Sequence, residues 1–199
     1  MSSSTSRAPS VIVVTGPSGA GKGTLIREVL QRVPGVEASV SATTRERRPG
    51  EQDGREYHFI GLAEFLDRIE QGDLLEHVTY VSGHRYGTLR SEIDRIRAEG
   101  KVPLLELETE GALRVKREVP GAVTIFISAS VEELERRLRE RATESTGEIG
   151  ERIALARHQL EQAYLFDYVV ENDELDRAVE ELTALVRGLL AGIATMARP

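Results

Sequence analysis

The sequence predicts a three-layer α/β fold, a parallel five-stranded sheet with helices on both faces. Three observations predict it. Continuous aliphatic and β-branched runs read as strands buried on both sides, the pattern of parallel rather than antiparallel sheets. Amphipathic helical patterns separate those runs, and strand–helix alternation is how parallel strands are connected. The chain has 199 residues, 40% hydrophobic and 30% charged, an ordinary globular composition for one domain of this kind.

Residues 1–9, Met1-Ser2-Ser3-Ser4-Thr5-Ser6-Arg7-Ala8-Pro9, lack the apolar stretch of a signal peptide and read as a short disordered leader. Residues 11–14 (Val-Ile-Val-Val) form the first buried strand. A glycine-rich turn follows, then a helix with Leu25, Ile26, Val29 and Leu30 on one face, ended by Pro34-Gly35. Further buried strands are expected over 36–40, 102–107, 123–127 and 168–171, with helices over 90–99, 112–119 and 131–141. Two segments break the alternation. Residues 41–88 show short strand signals at 57–60 and 74–78 around a brief helix at 63–70, and read as an insertion with function on its loops. Residues 136–164 are highly charged, and Thr143-Glu144-Ser145-Thr146-Gly147 interrupts two helices; a mobile lid or an exposed helical hairpin fits equally. The domain from 10 to 190 thus divides into a core (10–40, 89–135, 166–190), an insertion (41–88) and a lid segment (136–165), with a tail at 191–199.

Composition narrows the function. Against 26 Lys+Arg stand 33 Asp+Glu, and a net charge of −7 disfavours nucleic acid as a partner, since a basic field supplies most of that affinity. There is no cysteine, which excludes disulfides, thiolate catalysis and Cys-ligated zinc. No apolar run approaches the roughly 18 residues of a membrane span, so no membrane partner is expected and the protein is expected in the cytoplasm. His58, His77, His84 and His158 have no metal-ligand spacing, and no protein-held metal site is expected.

The turn after the first strand is Gly16-Pro17-Ser18-Gly19-Ala20-Gly21-Lys22-Gly23-Thr24. Gly16 and Gly21-Lys22 have the G-x-x-x-x-G-K spacing of a phosphate-binding loop. Glycines let successive backbone N–H groups turn onto phosphate oxygens, and the following helix adds its dipole. Lys22 then reaches the outer phosphates. A plain glycine turn is the bland reading, but the buried strand before it and the amphipathic helix after it favour an ATP-type phosphate donor. Gly23 stands where the strict motif has Ser or Thr, so Thr24 is expected on an α-phosphate oxygen, with Mg²⁺ held mainly by phosphates and water.

Ser39-Val40-Ser41-Ala42-Thr43-Thr44-Arg45-Glu46-Arg47-Arg48-Pro49-Gly50-Glu51 gathers three arginines and several hydroxyls in one loop. Arginine suits phosphate because its planar fork bonds bidentately and stays charged. A charge run alone reads as a solvated loop; the phosphate loop upstream shifts the reading to a local anion trap, to which Tyr57 and Tyr86 add phenols.

These stretches, with Gly54-Arg55-Glu56-Tyr57-His58-Phe59, Leu74-Leu75-Glu76-His77, Arg85-Tyr86-Gly87-Thr88 and Val169-Val170-Glu171-Asn172-Asp173, resemble guanylate kinase over roughly residues 10–190. The resemblance implies a P-loop NTPase fold with an inserted GMP-binding subdomain and a helical lid. It implies transfer of the γ-phosphate of MgATP to GMP in purine nucleotide metabolism, with ATP and GMP as partners and Mg²⁺ as cofactor. ATP would lie on Gly16–Thr24; Arg45, Arg48, Tyr57 and Tyr86 would grip the GMP phosphate, Ser41, Glu76 and Thr88 would face the guanine, and Glu51 and Glu108 would also belong to the GMP site. Lys22, Arg45, Arg137, Arg141 and Arg152 would stabilise the transferring group. Glu76 suits the task, because guanine presents N1–H and an exocyclic amine side by side, two donors one carboxylate can accept. The chain departs from the family pattern at Glu106, Glu108 and Glu110, where Asp, Asp and Gln are usual, and at Ala142, where Gly is usual. Two other readings stay open: a non-catalytic guanylate-kinase-like binding module, and a kinase for another nucleotide or a sugar phosphate. Oligomeric state is undetermined from sequence.

Overall fold

The computed structural model describes residues 8–80, 82–140 and 146–192. In chain order its elements are β1 (Val11–Thr15), α1 (Lys22–Arg32), β2 (Val36–Ala38), β3 (Ala42–Thr43), β4 (His58–Phe59), α2 (Leu62–Glu70), β5 (Leu74–Thr79), β6 (Arg85–Leu89) and α3 (Arg90–Ala98). There follow β7 (Val102–Glu106), α4 (Thr109–Glu118), β8 (Ala122–Ser128), α5 (Val131–Glu140), α6 (Thr146–Glu161), a 3-10 turn at Ala163–Leu165, β9 (Tyr168–Glu171) and α7 (Leu175–Leu190).

The main sheet has five parallel strands in the order β2-β7-β1-β8-β9. Side chains alternate across it, as the pleat requires. Ile12, Val14, Ile125 and Ile127 face α1 and α7, packing with Leu25, Val29, Val179 and Leu182. Val11, Val13 and Phe126 face the other way, onto Ile93 of α3 and Ala112 and Val115 of α4. Three layers result, as the alternating pattern predicts. With every strand parallel, all five carboxyl ends open on one edge, and ligands bind at such edges.

A second, mixed sheet, β4-β3-β6-β5, lies within residues 41–89 and has its own small core of Ala42, Phe65, Leu74 and Leu89 under α2. The sequence pattern does not reveal β3 or β6. Arg-Tyr-Gly-Thr-Leu lacks an apolar run, and β6 is a strand because β3 and β5 pair with it from both sides. Gly87 is needed there, since a Cβ would stand 3.0 Å from the Glu76 carbonyl oxygen. β2 is shorter than predicted. After Ser39 N–H donates to Leu104 O (2.9 Å), the chain leaves β7 and crosses to the second sheet. The pattern reading also passes over α7, although its buried Ala178, Val179, Leu182, Val186 and Leu189 recur at helical spacing. Of the interruption expected over 143–147, Thr146 and Gly147 already belong to the first turn of α6, and residues 141–145 lie outside the described residues.

Candidate active site

The β1–α1 turn is shaped by glycines in the left-handed region, Gly16 (φ 143°), Gly19 (89°) and Gly21 (83°). Space forbids a side chain at two of them: a Cβ on Gly16 would lie 2.2 Å from the Ile127 carbonyl oxygen, and one on Gly21 2.4 Å from Asn172 Nδ2. Asn172, just past the carboxyl end of β9 and 2% exposed, donates its amide to Ala20 O (2.7 Å) and so clamps the loop. Arg137 braces it from α5, donating to Asn172 O (2.7 Å) and Gly19 O (3.4 Å), with its Nε on Glu133 (2.6 Å). From α6, Arg152 donates to Ser18 Oγ (2.9 Å). Lys22 folds back to donate to the carbonyls of Gly16 (2.7 Å) and Pro17 (3.2 Å). Burial lowers its pKa, opposed by the charges of Glu106 and Glu108. A cavity of about 400 Å³ opens over the turn, lined by Ser18, Gly21, Lys22, Thr24, Arg27 and Glu106.

A second cavity, about 460 Å³, lies between the carboxyl edge of the main sheet and the second sheet. Ser41, Tyr57, Glu76, Tyr80, Tyr86 and Glu108 line it, together with Lys22 and Glu106. Lys22 and Glu106 belong to both cavities, so the two meet at the lysine.

Glu76 is 6% exposed at this cavity. Its Oε1 accepts from Thr88 Oγ1 (2.8 Å) and Thr88 N–H (3.1 Å). Its Oε2 faces Gly111 of α4, where a Cβ would come within 2.9 Å. Burial pushes the carboxyl above its ordinary value, against the Thr88 bonds and the Arg114 charge. Glu106 is likewise raised by partial withdrawal from water, with Lys22 pulling it back. The Arg45 fork holds Glu51 bidentately (2.8 and 3.0 Å), and Glu51 also accepts from Arg48 N–H (2.8 Å). The bond to Arg45, and then that to the Arg48 N–H, lower the Glu51 carboxyl. Arg45 sits 5.4 Å from the Tyr57 ring centre, within cation–π range. Tyr57 and Tyr80 meet Tyr86 edge-on, at 5.6 and 4.9 Å between centres.

The structure therefore gathers Lys22, Ser41, Tyr57, Glu76, Tyr86 and Glu108 around one cavity. Arg45, Arg48, Glu51 and Thr88 do not line it; Thr88 points its hydroxyl at Glu76, and Arg45 lies over the Tyr57 ring. Arg137 lies against the loop backbone and Arg152 on Ser18, while Arg141 and Ala142 lie outside the described residues. Sequence reasoning gives no site role to Tyr80, Glu106 or Asn172. The signal for the last two is topological, since Glu106 ends one parallel strand and Asn172 directly follows another, at the edge that carries the phosphate loop. Among the described residues no group of three or more His, Asp or Glu is placed to hold a metal ion.

The guanylate kinase family model matches residues 8–189, nearly the whole chain. The chain belongs to the guanylate kinase family. A guanylate kinase of Synechococcus sp. (strain JA-3-3Ab) is 47% identical over 177 residues, covering 88% of this chain and 81% of that protein. One of Rubrobacter xylanophilus is 46% identical over 183 residues, covering 92% and 95%. The crystal structure of guanylate kinase from Anaplasma phagocytophilum superposes with a TM-score of 0.71 at 27% identity, covering 96% of this chain and 90% of that one. Within this guanylate kinase fold the departures noted in the sequence acquire surroundings. Glu106 reaches toward Gly23, its Oε2 lying 4.0 Å from where a Cβ would be. Glu108 precedes the first residue of α4 and accepts from Tyr80 Oη (2.8 Å), while Glu110 is exposed.

Proposed function

We propose that the chain catalyses phosphoryl transfer from ATP to GMP, giving ADP and GDP. The observation that carries this reading is the meeting of the two cavities at Lys22: one walled by a phosphate loop, the other ending on a buried carboxylate with its Thr88-bonded oxygen fixed. ATP phosphates lie on the backbone N–H groups of Gly19–Thr24, and GMP lies with its base toward Glu76 and Ser41 and its phosphate toward Tyr57, Tyr86 and Arg45.

The acceptor is already an anionic phosphate oxygen, so no general base is needed. That oxygen bonds to the γ-phosphorus as the bond to the β–γ bridging oxygen breaks, and ADP leaves with the electron pair. Lys22 exchanges the Gly16 and Pro17 carbonyls for the β- and γ-phosphates, and Arg152 adds positive charge from α6. Compensating charge on the transferring group is the main catalytic demand in phosphoryl transfer.

The residues fit a magnesium ion held largely by its nucleotide. Gly23 leaves room in which only Glu106 Oε2 stands within 4 Å of an added Cβ, and the Thr24 hydroxyl and Glu106 carboxylate are hard oxygen donors. Thr24 and Glu106 are the residues that would hold Mg²⁺ together with its nucleotide. The ion would supply positive charge against the negative charge that develops during transfer.

The test is ADP release from MgATP against GMP, dGMP, AMP, CMP, UMP and dTMP. Turnover confined to the guanine nucleotides is expected. Turnover of another nucleotide would mean the glutamates re-cut the base pocket, and silence across the panel would overturn the reading.

A further inference from the structure

The hairpin between β5 and β6 carries a tyrosine that reaches from the second sheet to the main one. Its backbone is fixed by the turn: Tyr80 N–H donates to His84 O (2.9 Å), and Tyr80 O accepts from Gly83 N–H (2.8 Å). The ring packs edge-on against Tyr86, and its hydroxyl donates to Glu108 Oε1 at 2.8 Å. Glu108 sits between the two ends of the acceptor cavity. Two residues before it, Glu106 faces Lys22; three residues after it, Gly111 packs on Glu76. A glutamate has one more rotatable bond than an aspartate and, at an exposed position, many ways to miss a ligand. The Tyr80 bond removes that freedom at one oxygen and leaves Oε2 for the cavity. Among the described residues, Tyr80 is the hydrogen-bond partner that this structure gives the Glu108 carboxylate.

We propose that Tyr80 is a positioning residue for acceptor specificity: it holds Glu108 so that the free carboxylate oxygen accepts a hydrogen bond from the nucleoside of the acceptor. The proposal rests on GMP being the acceptor. A donor on that nucleoside is either the exocyclic amine of guanine or a ribose hydroxyl, and the latch serves either. The phenol is suited to a permanent donor role, because burial and then the Glu108 charge raise its pKa and keep its proton.

The test is steady-state kinetics of Tyr80→Phe, which keeps the ring against Tyr86 and removes only the hydroxyl. KM for GMP is expected to rise about tenfold, the size of one charge-assisted hydrogen bond, with kcat within twofold and the melting temperature unchanged. In a Glu108→Ala background the same substitution is expected to change KM less than twofold, since there is no carboxylate left to hold. Against IMP, which lacks the amine, and dGMP, which lacks the 2′-hydroxyl, the effect should vanish on the one missing the donor. An unchanged KM for GMP, a tenfold effect that persists in Glu108→Ala, an effect that survives on both analogues, or a kcat that falls with melting temperature would each overturn the latch. If the unaltered enzyme does not turn over GMP, it is the proposed function that falls, and that control is read before any variant.

Discussion

At Glu76, folding and recognition pull in opposite directions. The carboxylate is 6% exposed, and burial raises its pKa in spite of two bonds from Thr88. A carboxyl that holds its proton more tightly in the folded chain than in the unfolded one makes stability fall as pH rises. The fall begins at the unfolded value, about 4.3, runs through the raised folded value, and the loss stays in force at neutral pH. Glu76→Gln removes the buried charge and keeps an oxygen for Thr88. Its melting temperature should therefore exceed that of the unaltered protein at pH 7.5, and the gap should close as pH approaches 4. The same change sets an amide N–H against the donor edge of guanine. A fall in kcat/KM for GMP of about 10²–10³-fold is expected, since a buried donor left unpaired costs about 1–3 kcal/mol or more. A melting series across pH together with GMP kinetics checks both halves. Lower stability at neutral pH, or unchanged kcat/KM, would remove Glu76 from its role.

The phosphate loop shows how far an element is written locally. Gly21 combines a φ of 83° with a Cβ position 2.4 Å from the Asn172 amide. Gly21→Ala pays backbone strain of about 1–3 kcal/mol. It must also push Asn172 off Ala20 O, so a loss of about 3 kcal/mol in urea unfolding and a large loss of ATP affinity are expected. Gly23, the second residue of α1, has ordinary φ, and an added Cβ would meet Glu106 Oε2 at no less than 4.0 Å, so Gly23→Ser should cost nothing in stability. Equal losses from the two would refute the packing account. This contrast also explains what is legible in the sequence. β1, the turn and α1 are contiguous, so spacing alone reveals them, as it does the aliphatic strands of the main sheet. β3 and β6 are two and five residues long and owe their form to partners far along the chain. The same holds for side chains. Lys22 and Glu76 announce themselves through motif context, but Tyr80 acts on a glutamate 28 residues away, and Arg137 braces Asn172 from 35 away. No periodicity encodes such pairs.

On the scale of the whole molecule, the chain passes between the sheets twice, at residues 39–41 and directly from β6 into α3. Among the described residues, the contacts that tie the crossing include Val40 N–H donating to Glu92 on α3 (3.4 Å), His58 3.7 Å from the same carboxylate, Leu75 packing on the core under α3 and α4, and Tyr80 reaching Glu108 across the cavity mouth. The second sheet has a small core of its own, separate from the two that flank the main sheet, and this lets each sheet system move as a body about those crossings. Transfer to GMP rather than to water requires the cavity to close when both nucleotides are in place. Closure should therefore need both. In small-angle scattering, a bisubstrate analogue joining the two nucleosides through a phosphate chain is expected to lower the radius of gyration from the open value, near 16 Å for this chain length. GMP alone should draw only the second sheet inward and give an intermediate curve. The analogue should also stabilise the protein by about 2.7 kcal/mol at a hundred times its Kd, with slowed exchange at the amides of 39–41. Superimposable curves with and without the analogue would mean that the cavity is already in its working shape. Water would then have to be excluded by the α5–α6 segment acting alone, over a fixed pair of sheets.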